Sequence, residues 1–95
     1  MESDEQKFQR LASQWQEETL FVSSTTKMCT HPAYLQIIGM GPAAVPLLLR
    51  ELERQPNHWF WALHAITGAD PVDPRDRGNV ERMTRAWLRW GTDQG

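Results

Sequence analysis

Cysteine, net charge and long apolar runs are all scarce in this chain of 95 residues, and each scarcity removes a class of protein. Cys29 is the only cysteine, so no internal disulfide can staple the fold. A formal net charge of −2 gives no global basic field to draw the chain onto nucleic acid or a membrane surface. No apolar run approaches the roughly 20 residues of a membrane-spanning helix. The opening residues, Met1 to Phe8, have neither the basic nor the apolar region of a signal peptide. The expected location is therefore the cytoplasm, with no membrane partner.

What is present is ordinary for one small soluble domain. Hydrophobic residues make up 40% of the chain and charged residues 23%, unlike a disordered segment. Residues 1–95 are read as a single helical domain with frayed ends at 1–3 and 92–95. A chain of this size buries roughly two-thirds of its unfolded surface. Five tryptophans supply bulk for that core, although exposed Trp is also a favoured interface anchor. Charge is bipolar: residues 1–19 carry −3, whereas residues 80–90 carry +2.

Helical periodicity organises most of the chain. Ser3-Asp4-Glu5-Gln6 reads as a capping box, and Phe8, Leu11, Ala12 and Trp15 follow at helical spacing to about Glu18. Leu20-Phe21-Val22 is too short to assign, and Ser23 to Thr26 is a polar break. His31-Pro32 opens a second helix with Tyr34, Leu35, Ile37 and Ile38 on its apolar surface, stopped at Gly39. A third begins at Pro42 with a kinked first turn, or nearer Val45, because an interior Pro46 would break a hydrogen bond. Its polar face is Arg50, Glu51, Glu53 and Arg54. A fourth, His58 to Thr67, is apolar on every side and therefore expected at the centre. A loop from Ala69 to Gly78 leads to the last helix, Asn79 to Trp90, stopped by Gly91. A 28-residue shift superimposes Leu35, Ile38 and Pro46 on Leu63, Ile66 and Pro74, a weak internal echo.

The run from Ile37 through Gly39-Met40-Gly41-Pro42 and Val45-Pro46-Leu47-Leu48 to Leu52 resembles a HEAT repeat hairpin. Such repeats join a helix ending at an Ile-Gly turn to a second, leucine-rich helix opened by an Ala-Val-Pro-like step. The likeness covers residues 31–54, and 57–68 more loosely. It implies antiparallel α-hairpins and a scaffold or binding role, with no catalytic residues to carry over. Since solenoids need several stacked repeats, two would make a compact HEAT-like bundle.

Residues that could carry chemistry form no coherent set. Cys29, His31, His58 and His64 match no zinc spacing. Cys29 as a nucleophile would need a base such as His31 within hydrogen-bond reach. Asp70, Asp73 and Asp76 lack the glycine and closing glutamate of a calcium loop, and suit turns and caps. No metal, cofactor or catalytic residue is expected. A helix–turn–helix reading places Pro42-Ala43-Ala44-Val45-Pro46 at the reading position, where nothing can contact a base or phosphate. Arg75, Arg77, Arg82, Arg85 and Arg89 form the candidate partner-binding surface, weighed against a plainly solvated helix face.

The resulting expectation is an all-α compact bundle of four to five helices with HEAT-like antiparallel hairpins. Its expected function is a non-catalytic protein–protein interaction module: an adaptor, an accessory subunit or an antitoxin-like inhibitor, within a larger complex. The alternative is a nucleic-acid-associated protein using the arginine stripe. Oligomeric state is not legible in the sequence.

Overall fold

Ser3 caps the first helix from both directions. Its hydroxyl accepts the Gln6 N–H at 3.1 Å, and the Gln6 side chain accepts the Ser3 N–H at 2.9 Å. Arg10 then holds Glu2 through two bonds of 2.9 and 3.0 Å. Residues 2 and 3 are thus linked to the helix by side-chain bonds, while residues 1–3 lie outside it and are exposed. The computed structural model describes residues 1–94; Gly95, expected to fray, lies outside the described residues.

The described residues hold six α-helices, two 3₁₀ turns and no strand, so the fold is all-α. Helix α1, Asp4–Glu18, buries Phe8, Leu11, Ala12 and Trp15, each large side chain contributing about 1.5–3 kcal/mol of burial. The Leu20-Phe21-Val22 run is a turn with Leu20 and Phe21 exposed. The polar break at Ser23 to Thr26 proves to be a helix start. Ser24 accepts the Lys27 N–H and opens α2, Thr25–Cys29, a helix too short for periodicity to reveal.

Helix α3, Pro32–Gly39, begins where the His31-Pro32 pair places it. The His31 Nδ1 accepts the Ala33 N–H at 3.0 Å. Tyr34 and Ile37 are buried, but Leu35 is 49% exposed, so the apolar surface is narrower than its composition suggests. Gly41, at φ +71°, turns the chain into a 3₁₀ turn, Gly41–Ala44, and α4 follows over Val45–Arg54. Pro46 then falls in the first turn of α4, where its missing N–H has no partner to lose. The chain bends by 110° between the two helices, short of the full reversal of an antiparallel hairpin. On α4 the expected polar face is incomplete: Glu51 is only 4% exposed and pairs with Arg54.

Helix α5, Phe60–Thr67, starts two residues later than expected, after the Asn57 side chain takes the His58 N–H at 2.8 Å. It is not central on all sides. At about 100° per residue, Trp59 and Leu63 face inward while Trp61 lies roughly opposite Trp59 and is 55% exposed. The echo fails at the same level, since Leu35 is exposed and its counterpart Leu63 is fully buried.

Helix α6, Val80–Gln94, passes straight through Gly91. The expected stop there is corrected: the helix continues over residues 92–94, and Gly91 is a packing residue. A β-carbon at position 91 would lie 2.6 Å from Leu49 Cδ1 on α4, so the bare backbone lets the two helices meet. Helix α1 packs on α3, α3 on α5, and α4 on α6. The core is an aromatic cluster in which Trp59 lies 4.5 Å from Trp15 and stacks within 9° of Tyr34, by ring centroids and planes. No single helix among the described residues is long and apolar enough to cross a membrane.

Candidate functional site

The segment from Gly68 to Asn79 is held by its own side chains, and that fixes the wall of a groove. Gly68, at φ +73°, closes α5 in the left-handed conformation that glycine adopts without strain. The His64 Nδ1 then meets the Ala69 carbonyl at 2.8 Å. A carbonyl only accepts, so Nδ1 carries the hydrogen in this contact. Each aspartate of the loop is engaged. Asp70 pairs with Arg77 at 2.9 Å, Asp73 caps the 3₁₀ turn Pro74–Asp76 through the Arg75 N–H, and Asp76 reaches Arg82 at 3.1 Å. The Arg75 guanidinium beside Asp73 holds that carboxyl below the usual carboxylate range. Asn79 accepts the Arg82 N–H and starts α6.

Between this loop, α5 and α6 lies an open apolar groove of about 470 Å³. Phe60 and Trp61 line it from α5, Val72 from the loop, and Val80, Met83 and Trp87 from α6. Trp87 and Val72 are buried at its floor, whereas Trp61 and Val80 are exposed at its rim. Polar groups are few: Thr25, Cys29, His58, His64 and the Asp70–Arg77 pair. Pockets of this volume and largely apolar lining are typical of binding sites. The sequence carried one signal for it. The helix expected over His58 to Thr67, apolar on every side, offers more apolar surface than one buried face can use.

The five arginines singled out from sequence are exposed but mostly partnered. Arg75 pairs with Asp73, Arg77 with Asp70, Arg82 with Asp76 and Arg85 with Glu81. Arg89 has no ion-pair partner among the described residues. Only Arg77 lines the groove. Residues 70–89 therefore oppose five arginines with four carboxylates, which leaves little net field for phosphate.

Cys29, His58 and His64 line the groove together, whereas His31 lies outside it. Both nitrogens of His31 are engaged, Nδ1 by Ala33 and Nε2 by Glu18 at 3.1 Å, so His31 is not free to act as a base for Cys29. Burial pushes the Cys29 thiol up from its ordinary value. No cluster of three His, Cys, Asp or Glu among the described residues is placed to hold a metal ion. The elbow between α3 and α4 presents Pro42, Ala43 and Pro46 to solvent, without a donor for a base edge.

Compared with known protein families, curated proteins and solved structures, the chain shows no match.

Proposed function

We propose that the protein is a non-catalytic interaction module that receives an apolar side chain of a protein partner in the groove between α5 and α6. Its biological setting would be that of an adaptor, an accessory subunit or an antitoxin-like inhibitor within a larger complex. One observation carries this reading. Trp61 and Val80, both exposed, frame an apolar groove whose floor is Val72 and Trp87. Folding alone gains nothing from leaving an indole and a valine in water, and a binding partner would bury both. Trp is also among the side chains that most often carry the energy of an interface.

The nucleic-acid alternative is weaker on this geometry, because four of the five arginines already have carboxylates against them. Purification from the native host separates the two. A stoichiometric protein partner should be retained by the wild type and by the variant with Arg82, Arg85 and Arg89 changed to Glu. It should be lost from Val80→Asp. Partner retention that ignores Val80→Asp but fails in the arginine variant would transfer the function to the stripe.

A further inference from the structure

Two consecutive residues of the loop gather the polar groups at one corner of the groove. The Ala69 carbonyl holds the His64 ring through Nδ1 at 2.8 Å, and the next residue, Asp70, holds the Arg77 guanidinium at 2.9 Å. Neighbouring Cα atoms lie about 3.8 Å apart. His64 and Arg77 are therefore fastened to adjacent points of the chain, and both line the groove. Asp70 is the one carboxylate among the lining residues, and it already faces Arg77. Arg77 spends a single N–H group on that bond, and the rest of its fork is unbonded among the described residues. The pair is also open to water, with 63% of the arginine and 47% of the aspartate side chain exposed. An ion pair so exposed contributes little, so a second carboxylate can share the guanidinium.

A cationic occupant would find no unpaired carboxylate in this lining. Burial keeps the Cys29 thiol protonated, so it supplies no second anion. Resting on the docking role proposed above, we infer that the groove takes an acidic segment of the partner protein. Its apolar side chains lie over Val72 and Trp87, and a neighbouring carboxylate meets Arg77 and His64. The groove, at about 470 Å³, is the size of a site for a whole small ligand. More than one apolar side chain of the segment therefore enters it. The basic contact is Arg77 inside the groove, not Arg82, Arg85 and Arg89, which do not line it.

Three synthetic peptides test this on the full chain: acetyl-Asp-Leu-Phe-Asp-amide and its counterparts with Asn or with Lys at both ends. Nuclear magnetic resonance titration, followed at the indole N–H signals, gives their dissociation constants. The Asp peptide should bind wild type about fivefold more tightly than the Asn peptide, the most that an exposed charge pair supplies. The Lys peptide should bind most weakly. Asp70→Asn frees the whole guanidinium and should widen the preference. Arg77→Gln leaves Asp70 as the charge in the lining and should invert the preference towards Lys. Circular dichroism checks that both variants remain helical. A pair that serves only to hold the loop would weaken all three peptides alike in both variants, and that result overturns the acidic segment. So does a preference for Asp that survives Arg77→Gln. Three peptides of equal affinity, all weakened by Trp61→Ala, overturn the acidic segment and keep the docking role. Binding of none at millimolar concentration also overturns the segment; the docking role then ends only if the cellular partner is retained by Val80→Asp.

Discussion

The hydroxyl of Tyr34 on α3 is the N-terminal cap of α5, accepting the Ala62 N–H at 2.9 Å while donating to the His58 carbonyl at 2.8 Å. A helix leaves its first N–H groups without internal partners, and Trp59, at the cap position, offers no side-chain acceptor. Tyr34, 28 positions before Ala62, supplies one. The bond fastens α3 to α5 within the aromatic core and leaves the groove face of α5 free.

Tyr34→Phe should therefore cost about 1–3 kcal/mol, the range for leaving buried polar groups unpaired. Urea unfolding followed by circular dichroism measures it. The helix content should survive, since Phe keeps the ring in the cluster. A change within about 0.5 kcal/mol, as at ordinary surface sites, would remove the capping role.

At position 91 two effects oppose each other. Alanine is favoured over glycine inside a helix by about 1 kcal/mol, yet its methyl would sit 2.6 Å from Leu49 Cδ1. Leu49 is half-buried and can turn, at about 0.5–1.5 kcal/mol for a strained rotamer. Gly91→Ala should fall short of the full gain in wild type and recover it in a Leu49→Ala background. Gly91→Leu should lose about 1–3 kcal/mol by overpacking. Equal effects in both backgrounds would show that α4 and α6 do not meet there.

Two residues of α5 should part company. Leu63 is fully buried, and Leu63→Ala should cost about 2–5 kcal/mol. Trp61→Ala, on the groove side, should cost less than about 1 kcal/mol, near the range of surface changes. Denaturant midpoints for the pair decide it. A larger loss at Trp61 than at Leu63 would mean that the groove face is structural.

The Cys29 thiol keeps its proton more firmly in the folded chain than in the unfolded one, because burial disfavours the thiolate. An acid whose folded pKa is raised stabilises the fold below the unfolded value, about 8.5, and that contribution declines as pH rises beyond it. Alkylation should accordingly be slower in the native protein than in urea at the same alkaline pH. Stability should also fall more steeply above that pH in wild type than in Cys29→Ser. A native thiol that reacts as fast as the unfolded one would contradict the buried placement.

Changing Arg82, Arg85 and Arg89 to Glu should leave helicity nearly intact, since exposed ion pairs contribute only about 0–1 kcal/mol each. The wild type should show no steep salt dependence in any nucleic-acid binding. A steep negative slope of affinity against salt, lost in this variant, would restore the phosphate role that the ion pairs argue against.

Local chemistry was legible in the sequence wherever neighbours in the chain decide the outcome. The Ser3 capping box, the His31-Pro32 entry, the Gly68 stop and the buried face of α1 all rest on contacts within a few residues, so composition and period reveal them. The all-α class follows from the same local preferences. What depended on distant partners was decided by the tertiary structure alone. Gly91 has the sequence of a stop, yet it continues a helix because Leu49 of α4 packs against it. Arg75, Arg77, Arg82 and Arg85 form a basic stripe in the sequence, yet each has a carboxylate brought against it by a turn or by the helix itself. Phe60, Trp61, Val80 and Met83 spell core in both helical patterns. They line an open groove between α5, α6 and the loop from Gly68 to Asn79, in which Val72 is buried. Periodicity tells which face of a helix is apolar; only packing determines whether a neighbour covers it.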